Sequence, residues 1–275
     1  MKGKVYLVGA GPGDRDLLTV KAQRLLRNAR AVLHDDLISP AILDLVPSNA
    51  LVYNVGKRCG HKKVQQEEIH FLMIGLAETG IDVIRLKSGD PLIFGRAGEE
   101  MEALRSAAVE YEVVPGVTSA LGAASAAGIP LTHRDASSAV IFLAAQKAPG
   151  KEADDWSRLV SSGATTVLYM PGNEYEQISA RLQSAGLAAT TPCAIVSRAT
   201  TPEEKVHRST LAELGDAPAL PSPTLLIVGK VVGLADAHRT LAALSPHPEA
   251  SLLAQASSAI QLPQPHRTAD PETTV

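Results

Sequence analysis

Lys4-Val-Tyr-Leu-Val-Gly-Ala-Gly-Pro-Gly-Asp14 is the stretch on which the reading of this chain turns. Lys4 to Val8 is short, apolar and followed by a turn signal, the pattern of a buried strand. Gly9, Gly11 and Gly13 let the backbone turn sharply and come close to a ligand. Asp14 or Asp16 then suits the cap of a helix whose apolar face is Leu17, Leu18, Leu25, Leu26 and Ala29. Strand, glycine loop and helix in that order predict a ligand site at the carboxyl end of a first strand. The spacing departs from a dinucleotide fingerprint, because G-x-G-x-x-G needs a glycine where Asp14 stands. An acid there, with Pro12 inside the loop, opposes a pyrophosphate. An acid does follow at the end of a second strand, Ala31 to Asp35, so a nicotinamide site stays open on this stretch alone. So does a tight turn with no ligand.

Composition sets the frame around that loop. The 275 residues are 45% hydrophobic with a net charge of −3, which fits one large or two moderate α/β domains with a sizeable core. That charge gives no reason to expect nucleic acid or a membrane as partner. Cys59 and Cys193 lie far apart without C-x-x-C spacing. This argues against a disulfide scaffold or a structural metal and for a reducing compartment. No apolar run is long enough to span a bilayer, and a strand begins by Lys4 where a secretory signal would sit. A soluble, cytoplasmic protein is the expectation.

Strand and helix signals alternate along the chain. Ser39-Pro40 opens a short helix to about Val46, and Leu51 to Val55 reads as a third strand. Ile69, Leu72, Met73, Leu76 and Ala77 recur at helical spacing, and Gly80 ends that helix. A fourth strand, Asp82 to Leu86, runs into the loop Lys87-Ser-Gly-Asp-Pro91. A helix over Glu99 to Ala108, a strand over Tyr111 to Val114 and a small-residue helix over Val117 to Ala127 complete the first half. The expected organisation is an α/β domain over 1–130, a linker over 131–138, a second α/β domain over 139–244 and a disordered tail over 245–275. In the second domain, strands are expected at Ala139 to Ala145, Thr165 to Met170, Cys193 to Ser197 and Thr224 to Val228. Helices are expected near Asp154 to Val160 and over Glu174 to Ala185, and Pro202 to Ser209 suits an edge strand.

Four loops of the first half fall at carboxyl ends of strands, the edge at which open α/β sheets bind ligands. They are Gly9 to Asp14, His34-Asp35-Asp36, Gly56 to Gly60 and Lys87 to Arg96. Gly56-Lys57 is no phosphate loop, because no G-x-x-x-x-G-K-[ST] frames it. Lys57, Arg58, Lys62 and Lys63 form either a solvated basic face or, with Arg96, a pocket for a polycarboxylate. His34-Asp35-Asp36 sets two acids side by side, where repulsion can raise one pKa and fit it for a base; a helix-capping pair before Pro40 is the bland alternative.

A longer set of runs carries a resemblance. Val-Gly-Ala-Gly-Pro-Gly-Asp14, Val-Gly-Lys-Arg-Cys-Gly60, Gln-Glu-Glu-Ile69, Arg-Leu-Lys-Ser-Gly-Asp-Pro91, Ile-Phe-Gly-Arg96, Val-Val-Pro-Gly-Val-Thr118 and Gly-Ile-Pro-Leu-Thr-His-Arg-Asp135 stand in family order between about residue 4 and residue 234. The chain resembles the tetrapyrrole methylase family, in its branch that methylates uroporphyrinogen III. The resemblance implies two α/β domains with S-adenosylmethionine in the cleft between them, usually a homodimer, and no metal. It implies transfer of two methyl groups to ring carbons of uroporphyrinogen III, a small-molecule tetrapyrrole, to give precorrin-2 for siroheme and cobalamin synthesis. A cofactor without phosphate also explains why Asp14 and Pro12 are tolerated.

Carried over by position, the family's cofactor contacts fall on Pro12, Ser88, Gly89, Asp90, Ile93, Thr118, Ser119, Met170 and Ala199. The implied proton acceptor is Asp35 and the implied donor Lys57, with Arg96 and Glu99 at positions that hold or activate the macrocycle. Some positions depart from the family pattern. His34 and Asp36 replace a usual tyrosine and arginine, Ser88 a glycine, Gln65 a proline, and Ala144-Ala-Gln146 a Thr-Gly-His. These leave other readings open. One is a methyltransferase of the same fold acting on a later precorrin, a modified histidine or ribosomal RNA; another is a non-catalytic binding relative.

Overall fold

The computed structural model describes residues 1–56, 65–145, 156–160 and 163–235. Five strands form the first sheet: β1 (Val5–Gly9), β2 (Ala31–His34), β3 (Leu51–Asn54), β4 (Val83–Lys87) and β5 (Tyr111–Val114). Their order is β3-β2-β4-β1-β5, all pairings being parallel. Parallel strands need long crossovers, and the helices that provide them cover both faces, so the inner strands are mostly apolar and buried, with Arg85 and Lys87 of β4 as charged exceptions. On one face α1 (Val20–Arg27) and α2 (Pro40–Leu43) bury Leu26 and Ile42 against Val8, Val32, Ile84 and Leu86. On the other, α3 (Gln66–Glu78) and α4 (Ala97–Ser106) bury Met73 and Leu104 against Val5, Leu7, Leu33 and Val83.

β1 and β4 lie side by side, yet their following connections run to opposite sides of the sheet, towards β2 and β5. Such a divergence opens a crevice at the strands' carboxyl ends. There the loops meet backbone to backbone. Gly11 N–H donates to Gly89 O (3.1 Å) and Gly89 N–H to Gly11 O (2.8 Å). A Cβ on Gly116 would lie 2.3 Å from Gly89 O and 2.8 Å from Gly9 Cα, so only glycine fits.

The helix expected from Leu17 to Ala29 is broken. Asp14 caps only a 3-10 turn, Arg15–Leu17, by accepting from Asp16 N–H (2.9 Å). Thr19 caps α1 instead, its hydroxyl accepting from Ala22 N–H (3.2 Å). Leu17 and Leu18 thus precede α1 rather than extend its apolar face. Lys87, expected in a loop, is the last residue of β4 and is buried. Gln65 caps α3, where its N–H donates to the Glu68 carboxylate (2.9 Å).

The second sheet holds β6 (Ala139–Ala144), β7 (Ala164–Tyr169), β8 (Pro192–Ser197), β9 (Lys205–Thr210) and β10 (Thr224–Val228) in the order β6-β7-β10-β8-β9. Only β6 and β7 are parallel; β10 inserts antiparallel between β7 and β8, and β9 is an antiparallel edge. The four residues of α6 (Trp156–Leu159) and the longer α7 (Tyr175–Ser184) pack on one face, with Trp156, Ile178 and Leu182 in its core. The other face is covered by a helix of the first half, α5 (Ser119–Ala127). Ala120, Ala123, Ala124 and Ala127 pack there on Val167, Ala194, Val196 and Ile227. Small side chains let this helix lie close to the sheet. The expected tail, 245–275, lies outside the described residues.

Tyr169, at the end of β7, completes that junction. Its hydroxyl accepts from Ala120 N–H (3.1 Å) at the start of α5 and pairs with the Thr118 hydroxyl (2.6 Å). Its ring sits 4.8 Å from that of Phe94 and 5.8 Å from that of Phe142.

Gly116→Ala places a methyl against backbone that cannot withdraw; we expect a loss of about 3 kcal/mol in urea unfolding, near the upper range for overpacking. Tyr169→Phe keeps the ring contacts and removes both hydrogen bonds; the same measurement should show a loss of about 1–2 kcal/mol.

Candidate functional site

The crevice opens into a cavity of about 450 Å³ lined from both sheets, within the size range of small-molecule sites. Every residue carried over as a cofactor contact lines it: Pro12, Ser88, Gly89, Asp90, Ile93, Thr118, Ser119, Met170 and Ala199. The loop after β1 supplies Pro12, the loop after β4 supplies Ser88 to Ile93, and the start of α5 supplies Thr118 and Ser119. Met170 follows β7 and Ala199 follows β8, so the second half closes the space. Asp35 lines the same cavity from the end of β2.

The local geometry is built rather than incidental. Asp90 uses its carboxylate on the loops themselves, accepting from Leu92 N–H (2.8 Å) and Gly116 N–H (3.0 Å). Its role is to fix the loop that presents Ser88 and Gly89. Gly89 holds φ +66, and a Cβ there would come within 3.1 Å of Ser119 Oγ. Phe94, Met170 and Arg198, all on the wall, hold left-handed φ angles of 52°, 54° and 47°. Such conformations cost energy and persist only where surrounding structure enforces them.

The His34-Asp35-Asp36 cluster is resolved by its partners. A carbonyl only accepts, so the His34 Nδ1–H donates to Asp35 O (2.9 Å) and the imidazole stays buried. Asp36 accepts from the Asn54 amide (3.2 Å). The Asp35 carboxylate instead meets the Arg85 guanidinium. The two acids therefore turn to different partners and do not face each other as a repelling pair.

Behind Asp35 lies a buried set of charges. Arg85 Nε donates to Glu100 Oε1 (2.9 Å), and Lys87 Nζ donates to the same oxygen (2.9 Å). Burial opposes the charge on Arg85, but Asp35 and Glu100 outweigh it and hold its pKa above the ordinary arginine value. Burial, with Arg85 beside it, pulls the Lys87 ammonium below its ordinary value despite Glu100. The sequence reading did not single out Arg85 or Glu100 and put Lys87 in a loop, because their meeting depends on how α4 packs on β4.

Other expected residues stand apart. Arg96 pairs with Glu99 through Nε (2.8 Å) and Nη2 (2.6 Å). Neither lines the cavity, although the preceding Gly95 does. That hydrogen bond holds Glu99 below the usual carboxylate range. Lys57, Arg58, Lys62 and Lys63 lie outside the described residues, as does Gln146. Tyr169, Phe94, Leu37, Arg198 and Glu203 also line the cavity and were not singled out in the sequence. Tyr169 had one readable signal, an aromatic immediately before Met170 at the end of a strand. Among the described residues no cluster of His, Cys, Asp or Glu is arranged to hold a metal, and no helix is long and apolar enough to cross a membrane.

The chain is similar to several known proteins. A uroporphyrin-III C-methyl transferase from Thermus thermophilus, solved in complex with S-adenyl homocysteine, is 39% identical, covers 84% of this chain and 100% of its own, and superposes with a TM-score of 0.75. A cobalt precorrin-4 methyltransferase structure is 32% identical, covers 83% of this chain and 95% of its own, and also superposes at 0.75. Siroheme synthase 2 of Aeromonas hydrophila is 46% identical over 234 residues, which are 84% of this chain and 50% of that protein. The chain thus spans about half the length of the curated relatives it matches. Residues 4–215 match the family described as Tetrapyrrole (Corrin/Porphyrin) Methylases, and the chain belongs to that family.

Proposed function

We propose that this chain holds S-adenosylmethionine in the cavity between its two halves and methylates ring carbons of uroporphyrinogen III twice, giving precorrin-2. The observation that carries the reading is the convergence of the carried-over cofactor residues and Asp35 on one cavity. The donor set fits such a group. The described wall bears Asp35, Asp90 and Glu203 with Arg198 as its one cation, a balance suited to a cationic sulfonium and unsuited to phosphates. Gly89, with no side chain, lets a ligand reach the loop backbone, and Ile93, Phe94 and Met170 offer apolar surface.

When bound, S-adenosylmethionine supplies an already activated methyl group. The protein's task is then mainly alignment, which rigid loops at strand ends perform well. Asp90 fixes the loop after β4, and Tyr169 fixes the start of α5 against the second sheet. Methylation of a ring carbon must be followed by loss of a proton. Asp35, whose side chain is 31% exposed at the cavity wall, is placed to accept it. Lys57 is read as the proton donor, and Arg96 with Glu99, beside the mouth residue Gly95, as contacts for the acceptor's carboxylates.

The reading extends to a cytoplasmic homodimer on the siroheme and cobalamin routes, with 131–138 as the linker between domains 1–130 and 139–244. Support for a partner copy comes from edge strand β3, which leaves Leu51, Val52 and Tyr53 between 38% and 46% exposed. A second reading, methylation of a later precorrin, is favoured by the likeness to the cobalt precorrin-4 methyltransferase.

The test is anaerobic incubation with uroporphyrinogen III and S-adenosylmethionine, read by mass and absorbance. Gain of two methyl groups is the expected result, and no gain with this acceptor contradicts the reading. Asp35→Asn should slow turnover on the order of 100-fold or more, the scale of general base catalysis, with cofactor affinity held within about twofold.

A further inference from the structure

Arg85 and Lys87 alternate on β4 and so project to the same face of the first sheet, towards α3 and α4. Both side chains are 3% exposed, and Glu100 of α4 is fully buried between them. One Glu100 oxygen, Oε1, takes both cations and also faces the Gln66 amide at 3.4 Å. Arg85 is held from several sides: Nε by Glu100, Nη1 by the Leu33 and Leu86 carbonyls (3.4 and 3.2 Å), and Nη2 by Asp35 Oδ1. Asp35 Oδ2 has no hydrogen-bond partner among the described residues. The set carries two positive and two negative groups, and Asp35 alone of them lines the cavity.

We propose that Glu100 and Lys87 are positioning residues for Asp35, acting through Arg85: together they balance the buried charge and turn the guanidinium so that it engages one oxygen of Asp35 and leaves the other for the substrate proton. Arg85 has the geometry to grip a carboxylate with two N–H groups. Anchoring Nε on Glu100 turns that edge away from Asp35. Without the Glu100 charge, Arg85 and Lys87 leave one excess buried cation facing Asp35. The carboxylate is then held in its charged form and accepts a proton less readily. Without the Lys87 charge, Glu100 draws Arg85 more strongly and Asp35 is released. The lowered pKa of Lys87, set first by burial and then by Arg85, agrees with a cation whose charge depends on Glu100.

This inference rests on the reading of Asp35 as proton acceptor. The charged and titratable groups around Asp35 are Arg85 and Lys87 from β4, Glu100 from α4, His34 and Asp36 on its own segment, and Asp90, Arg198 and Glu203 on the cavity wall. The test is the single-turnover methylation rate against pH for the wild type, Glu100→Gln and Lys87→Met. A base must be ionised to act, so the acid limb reports how tightly its charged form is held.

Glu100→Gln adds a net positive charge. Its limb should move to lower pH by about one unit, and its plateau rate should fall about three- to tenfold as the base weakens. Lys87→Met removes a positive charge, and its limb should move to higher pH. A residue that merely supports the fold does not move the two limbs in opposite directions. Limbs that stay in place, or move the same way, overturn the proposal. Should Glu100→Gln not fold, Lys87→Met decides alone: an upward shift supports the proposal, and no shift overturns it. Asp35→Asn separates the two readings. If it reacts as fast as the wild type, the base assignment itself is wrong. If it is slow while the limbs of the other variants stay in place, only the present inference is lost.

Discussion

The approach of three loops at the carboxyl edge of the first sheet constrains everything else in the molecule. Gly9 and Gly116 meet each other and the Gly89 carbonyl where no Cβ can stand, and paired hydrogen bonds between Gly11 and Gly89 lock the first two loops together. The third is tied in by Asp90 through Gly116 N–H. Because the backbones touch, the segments leaving them have fixed directions. One carries Pro12, another Ser88 to Ile93, and the third starts α5 on its path to the second sheet. Tyr169 returns the contact from that sheet. The cavity is thus the space left over by a tight junction.

The second constraint is electrostatic. Charged side chains are costly inside a parallel sheet unless paired and hydrogen-bonded. Here Arg85 and Lys87 are held by Glu100 and Asp35, and the chain of contacts ends at the cavity. An apolar pair on β4 would pack with less desolvation. Retaining charges there makes sense if the outermost carboxylate has chemical work, which links the sheet interior to the proposed methyl transfer.

Much of the first half was legible in the sequence. Its strands are apolar runs ended by glycine or polar turns, and the spacing in the first loop argued against a dinucleotide. Legibility failed where a local pattern had two readings. Leu17 and Leu18 continue an apolar stripe, so the 3-10 turn and the restart at Thr19 were hidden. The position of β10 inside the second sheet depends on long-range pairing that no local period encodes. The cavity's residues were placed by family resemblance rather than by spacing, since Met170 and Ala199 carry no chemical signal of their own. The Arg85, Lys87 and Glu100 set needed the packing of α4 on β4 before it could be seen. The basic run at Lys57 to Lys63 lies outside the described residues, so its part in the site rests on sequence and resemblance alone.

A crystal structure of this chain grown with S-adenosylhomocysteine tests the central claim most directly. Density for it should lie between the Ser88 to Ile93 loop and the Met170 and Ala199 wall, within reach of Asp35. Density at another place on the molecule, or none in the cavity at saturating concentration, would contradict it.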